Sequence, residues 1–275
     1  MLILRRPAPA LNDLIHCLWA SDAYAARESR ERVLPSGAVR IVIHIEERPL
    51  QLYEEERSLE PSRFLGGVLA GARTTPLVIG TIGLGATLGV DFQPGGIRHF
   101  LGCAADAVAE QIVPLDAIWG RSASLLREQL LATPGASKRL ELLERFLRQR
   151  VRGGLQRPAT LREALIAFEQ SELKSVADVN RRTGLSPRRL SALFREEIGL
   201  GPKTFWRLRR FNAAVRSLEQ RELRGAALAA ECGYFDQSHF IREFRAFAGS
   251  SLREYLVHRV AGSDHVRILG KNIQS

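Results

Sequence analysis

Residues 176–199 read VADVNRRTGLSPRRLSALFREEIG, and residues 226–249 read AALAAECGYFDQSHFIREFRAFAG. Aligning Gly184 with Gly233 shows one plan repeated 49 residues apart. Each copy has a short helical segment, a glycine suited to a tight turn, a polar residue that can cap, and a second helical segment. In the first copy Ser186 is placed to cap and Pro187 to occupy the first helical turn. Leu190, Leu193, Phe194 and Ile198 then share one face. In the second copy Asp236 is the capping residue, and Phe240, Phe244 and Phe247 form the apolar stripe. A helix, a glycine-containing turn and a second helix is the helix-turn-helix plan.

Turning each stripe inward fixes which residues face outward. The second helix of copy one presents Arg188, Ser191, Ala192 and Arg195, and that of copy two presents Gln237, Ser238, Ile241 and Arg242. These side chains match the edges of base pairs in a major groove. Arginine forks onto guanine, glutamine onto adenine, and isoleucine can meet a thymine methyl. Arg189 and Arg245 lie at the margins of the two faces, where phosphate contact is expected. His239 is read as a structural histidine, and Trp206 as part of a core. Between the copies, residues 203–219 (KTFWRLRRFNAAVRSLE) read as one helix, roughly 25 Å long at 1.5 Å per residue. Such a helix would hold two reading helices about one turn of DNA apart, near 34 Å.

Working outward, the chain has 275 residues, 45% hydrophobic and 25% charged, a globular composition with enough length for about two domains. Lys and Arg outnumber Asp and Glu by 40 to 30, which favours a polyanionic partner. The excess is uneven: residues 1–157 carry a net +3 and residues 158–275 a net +7. The first half holds β-like runs at 33–45 and 76–92, bounded by Pro35-Ser36-Gly37, Gly66-Gly67 and Pro94-Gly95-Gly96. Helical patterns begin near Ala104, with 122–132 and 138–151 amphipathic. The predicted architecture is a β-rich α+β N-terminal domain with flanking helices (1–152), a linker (153–158), an all-α domain with two helix-turn-helix units joined by a helix (159–260), and a C-terminal tail (261–275).

Alternating strand positions make an apolar cavity in the first domain geometrically possible among Ile41, Ile43, Ile45, Phe64, Leu77, Ile79, Ile82, Leu88 and Val90, the favoured alternative for any one of them being that it only fills a core. The stretch Leu125 to Leu147 offers an apolar face for dimerisation. Cys17, Cys103 and Cys232 are far apart with no CxxC pair, which fits a reducing cytoplasm rather than a disulfide framework. The uncharged stretch Thr74 to Val90 is glycine-rich and reads as strands and turns, so no membrane partner is expected. His16, Cys17, His44 and His99 show no metal-ligand spacing, and no Walker loop or GxSxG elbow is present, so no cofactor, metal or catalytic residue is assigned.

The run GLSPRRLSALFREEIGLGPKTF, then Arg210 and Ala214, then GYFDQSHFIREFRAFAG and Tyr255 resemble the AraC/XylS family of transcription regulators over residues 173–257. Asp236-Gln237-Ser238-His239-Phe240 is the most specific part of that match. Asn180, Ala192, Gly225 and Leu252 depart from the family pattern. The resemblance implies a bacterial-type, cytoplasmic, sequence-specific regulator of transcription that binds double-stranded DNA and is not an enzyme. RNA polymerase, a small-molecule effector and a second copy of the chain are the further partners it admits, and a barrel-like N-terminal half is common in the family. The strand pair at 33–45, GVDFQPGG (89–96) and PLDAIWG (114–120) resemble a domain of unknown function often fused to this module. Two other readings stay open: a weakly specific architectural DNA-binding protein, and a metal-dependent or DNA-repair-type enzyme fused to such a module.

Overall fold

Period-two alternation builds the first half. The computed structural model describes residues 2–21, 30–46, 48–81, 85–169, 175–220, 225–260 and 264–268. Its strands are β1 (Leu2–Arg5), β2 (Ile15–Ser21), β3 (Arg30–Val33), β4 (Arg40–His44), β5 (Leu50–Tyr53), β6 (Ser62–Phe64), β7 (Gly67–Ala70), β8 (Leu77–Gly80), β9 (Thr87–Phe92), β10 (Ile112–Pro114) and, at the far end of the chain, β11 (His265–Ile268). They form two antiparallel sheets, in the orders β1-β2-β9-β4-β7-β10 and β11-β3-β8-β5-β6. The sheets face each other without closing into a barrel. The uncharged stretch 74–90 supplies β8 and the start of β9.

The two faces of the first sheet have different duties. Arg40 and Val42 of β4, Cys17 and Trp19 of β2, and Thr87 and Asp91 of β9 turn toward the second sheet. Ile41, Ile43, Leu88 and Val90 point the other way into the core. Gly67 shows what covers that face: a Cβ there would meet Leu115 at 2.6 Å and Ile43 at 3.2 Å. Between the sheets lies a cavity of about 660 Å³. Of the residues expected to line it, Leu77 and Ile79 do. Ile41, Ile43, Ile45, Leu88 and Val90 instead fill the core. Phe64 lies on the short strand β6, away from the cavity, and Ile82 lies outside the described residues. Strand parity decides between cavity and core, because a shift of one residue exchanges the two faces.

Three helices cover the core face: α1 (Leu115–Trp119), α2 (Arg121–Ala132) and α3 (Ala136–Arg150). Their apolar stripe, Leu126, Leu130, Leu140, Leu143 and Leu147, is buried, and α3 packs on β2. The face offered for dimerisation is thus used within the chain, leaving Leu125 and Leu131 exposed. The segment 153–158 is fastened at its end. Asp13 accepts from the Arg157 backbone N–H at 2.6 Å and from its Nη2 at 2.8 Å, and the Pro94 carbonyl accepts from Nη1 at 3.0 Å.

The second half is helical: α4 (Ala159–Glu169), α5 (Val176–Thr183), α6 (Pro187–Ile198), α7 (Pro202–Gln220), α8 (Gly225–Glu231), α9 (Gln237–Ala248) and α10 (Leu252–His258). Phe168, Phe194, Phe205 and Trp206 meet edge-on in one aromatic cluster. Phe211, Phe240, Phe244, Phe247 and Tyr255 form another under the second unit. The chain then returns: in the expected tail, β11 pairs with β3, Val266 opposite Arg32. The C-terminal segment thereby becomes the edge strand of a sheet in the first half.

Candidate nucleic-acid interface

Capping chemistry sets the two helix pairs. Ser175 starts α5, its side chain accepting from the Asp178 N–H at 3.2 Å, and Gly184 ends it in the left-handed region. Ser186 caps α6 through the Arg189 N–H at 3.3 Å, with Pro187 in the first turn as predicted. Asp236 caps α9 through the His239 N–H at 2.6 Å. Leu190, Phe194 and Ile198 of α6 and Phe240, Phe244 and Phe247 of α9 are buried, with Leu193 half-buried beside them. Placing those faces inward leaves the opposite faces to solvent.

All ten predicted reading residues lie on those outer faces. Arg188, Arg189, Ala192 and Arg195 on α6 are exposed, with Ser191 half-buried. Gln237, Ser238, Ile241, Arg242 and Arg245 on α9 are exposed. Among the described residues, none of the five arginines is held in an ion pair. Phe235, in the turn before α9, is also exposed. The helix between the units, α7, runs 19 residues, or about 28 Å.

What aims α9 is a residue the sequence reading passed over. Glu243 lies on the inner side of the helix with its side chain 4% exposed. It accepts from Arg207 Nε at 2.7 Å and from Arg210 Nη2 at 3.1 and 3.2 Å, both from α7. His239 Nε2 stands 3.8 Å from the same carboxylate, and its ring meets Tyr234 edge-on. The His239 ring thus stands beside Glu243 and Tyr234, where the sequence reading expects a capping or backbone-bonded histidine. Trp206 is half-buried, 5.1 Å from Phe168 by ring centroids. One carboxylate among apolar ring neighbours ties the second reading helix to the connecting helix. The available signal was a charged residue on the inner side of an otherwise apolar helix.

The first reading helix is anchored differently. Its C-terminal end packs on the turns at 97–99 and 105–108 of the first half. Gly199 ends α6 at φ +91°, and a Cβ there would stand 3.0 Å from the Ala105 carbonyl oxygen. Arg98 reaches Glu196 at 3.5 Å. Beside it Glu197 is buried, and burial pushes its carboxyl above the usual range against the pull of Arg98.

The cavity between the sheets touches the helical half directly. Asn212, Val215, Arg216 and Glu219 of α7 form part of its wall, as do Val260, Asp264 and His265. Asn212 Nδ2 donates to the Ser36 carbonyl at 3.0 Å. Arg40 stands in the wall as a fork. Its Nε and Nη2 reach Asp91 at 2.5 and 3.0 Å, and its Nη1 reaches Asp264 at 3.0 Å. Burial opposes the charge on Arg40, but Asp264 and Asp91 outweigh it and hold the guanidinium charged. Asp264 is likewise held below the usual carboxylate range, Arg40 and His265 offsetting its burial. His265 Nδ1 lies 2.8 Å from the buried Glu31 carboxylate. Burial, with Asp91 adjacent, pushes the Cys17 thiol up to about 11, so it is no thiolate at neutral pH.

Among the described residues, no three His, Cys, Asp or Glu side chains converge as a metal site, and no helix is long and apolar enough to cross a membrane. Residues 179–257 match the model of a helix-turn-helix domain, and residues 5–114 match a domain of unknown function, DUF6597. No curated protein matches the chain. Among solved structures, ToxT from Vibrio cholerae is similar at 9% identity, over 87% of this chain and 96% of that one, with a TM-score of 0.48. ToxT from Vibrio cholerae O395 bound to (E)-4-(8-methylnaphthalen-1-yl)but-3-enoic acid is similar at 10% identity, over 93% and 98% of the two chains, again with a TM-score of 0.48. Residues 179–257 are thus a helix-turn-helix domain of the AraC type, a DNA-binding module carried behind a domain of unknown function.

Proposed function

We propose that α6 and α9 enter successive major grooves and read base edges, so that the protein selects particular sequences. The observation that carries this is the pair of outer faces, each with arginines outside any ion pair among the described residues and short or apolar neighbours, over a buried and mostly apolar underside. Arg188, Arg195, Gln237, Ser238, Ile241 and Arg242 are assigned to base edges, with Ser191 and Ala192 allowing close approach. Arg189 and Arg245 are assigned to phosphates. The test is affinity for a duplex selected from a random pool against random duplex at one fixed salt concentration. Specific reading gives a ratio of at least about 10³. A ratio near one would establish architectural binding instead.

The cavity supports the second half of the reading, in which the first domain controls the second through a small, largely apolar effector. Its lining is mostly apolar, yet it borders α7, the element that fixes the separation of the two reading helices. A molecule seated there would touch both halves at once. Thermal shift across a panel of apolar metabolites, followed by DNA affinity with each hit, tests this. Binding that leaves DNA affinity unchanged would refute control through the cavity. RNA polymerase and a second copy of the chain belong to the same proposal as partners at the promoter. The expected setting is the bacterial cytoplasm, and the expected role is regulatory rather than catalytic. A fragment beginning at Ala159 is expected to fold and bind DNA more weakly than the whole chain.

A further inference from the structure

Between the two helix-turn-helix units lies a second cleft, of about 650 Å³. Lys203, Trp206, Arg207 and Arg210 of α7 form its floor. His239, Arg242 and Glu243 of α9 form one wall, and Ser175 and Val176, at the start of α5, form the other. Its charge is one-sided. Four cations, Lys203, Arg207, Arg210 and Arg242, face a single carboxylate, Glu243. That carboxylate is occupied by Arg207 Nε and Arg210 Nη2. Arg207 keeps both Nη groups without a partner among the described residues, on a side chain 40% exposed and stacked over the Phe247 ring at 5.1 Å. Lys203 and Arg242 are exposed and outside any ion pair among the described residues.

A concave site with three uncompensated positive charges repels itself unless an anion enters it. Arg242 identifies which anion fits, because it belongs both to the cleft wall and to the reading face of α9. The cleft therefore opens beside the groove-reading surface, midway between the two units. When two helices occupy successive major grooves, a phosphodiester strand must pass between them. We infer that this cleft seats backbone phosphates of the DNA strand lying between the two reading helices, with Lys203 and Arg207 as the phosphate ligands. The inference rests on the DNA-binding reading above and adds a sequence-independent clamp to it.

The test uses the full chain with Lys203→Ala and Lys203→Glu, changes at an exposed residue that leave the Glu243 contacts intact. Affinity is measured for a selected duplex and for random duplex between 0.05 and 0.5 M salt, on the order of the range in which phosphate contacts dominate. One lost phosphate contact lowers the salt slope by about 0.9, which is about eightfold in affinity at 0.1 M when the curves meet at 1 M. Lys203→Ala is expected to show that loss equally on both duplexes, and Lys203→Glu a larger one. Arg207→Gln, checked for folding by circular dichroism, is expected to lower the slope by a similar amount. Unchanged slopes in Lys203→Ala and Lys203→Glu would overturn the inference, as would a loss confined to the selected duplex. Calorimetry with inorganic pyrophosphate and no DNA distinguishes the source. Pyrophosphate binding that Lys203→Ala abolishes, with DNA slopes unaltered, would assign the cleft to a free phosphate ligand and overturn the DNA assignment. A wild-type chain that binds no duplex at all would refute the DNA-binding reading itself, a separate outcome.

Discussion

Removing the Glu243 side chain should loosen the second helix-turn-helix unit more than any single change on its exposed face. Glu243→Ala takes away an almost fully buried carboxylate and leaves two guanidinium groups without the acceptor they share. Breaking a fully buried ion pair in this way costs about 3–5 kcal/mol. The arginine side chains here are 40% and 22% exposed, so water recovers part of that charge. A loss of about 2–3 kcal/mol follows, which is about 5–10 °C in melting temperature for a chain of this size. Glu243→Gln keeps one acceptor and the side-chain volume, and should cost about half as much. A double-mutant cycle with Arg210→Gln should show coupling of about 1 kcal/mol or more, because the two residues share bonds at 3.1 and 3.2 Å. Urea unfolding of the wild type, the three single mutants and the double mutant measures every term. If Glu243→Ala unfolds within about 0.5 kcal/mol of wild type, Glu243 does not tie α9 to α7 and the account of how the second reading helix is aimed fails.

Other changes address the remaining joints. Arg242→Ala should lose about 1–3 kcal/mol of discrimination at one base position if it forks onto guanine, while an equal loss on all sequences would make it a phosphate clamp. Gly89→Ala should destabilise by about 1–3 kcal/mol in urea, because a Cβ there would stand 2.0 Å from the Trp19 ring on the paired strand; wild-type stability would mean the ring moves freely. Glu197 has a raised carboxyl pKa, so its ionised form opposes folding at neutral pH and the opposition fades as pH falls through the folded value. Glu197→Gln should therefore melt higher than wild type at pH 7 and lose that advantage in acid, and an advantage that persists unchanged in acid would refute the charge argument. Asp264 has the opposite sign: its carboxyl is held low, so its contribution is present above the usual carboxylate range and lost as pH falls through the folded value. Asp264→Asn should lower the melting temperature at pH 7, with the gap to wild type closing in acid, and equal melting at pH 7 would show that the Arg40 contact adds nothing.

The helical half was legible because local chemistry and tertiary packing agree there. Ser186, Pro187 and Asp236 begin their helices for reasons confined to one turn, and Phe240, Phe244 and Phe247 are buried at the spacing their periodicity dictates. The reading faces follow by elimination, since a helix with one apolar side has one other side to show. What stayed hidden depends on partners distant in sequence. Glu243 looks like a surface charge until Arg207 and Arg210 arrive from α7, 36 and 33 residues earlier. In the β-rich half, the strands at 39–45 and 76–92 carry enough apolar residues to be found. Their parity is set by what each face meets, and β4 offers apolar side chains on both faces, with Ile41 and Ile43 on one and Val42 on the other. Arg40, beside Val42, marks the cavity side, and an arginine reads as solvent-facing unless Asp91 and Asp264 are known to receive it. Asp264 lies 224 residues away, in a segment whose strand exists because β3 lends it an edge. The Arg40–Asp264 contact and the β3–β11 pairing, hidden for that reason, also join the two halves, so they bear directly on how a cavity in the first half would act on helices in the second.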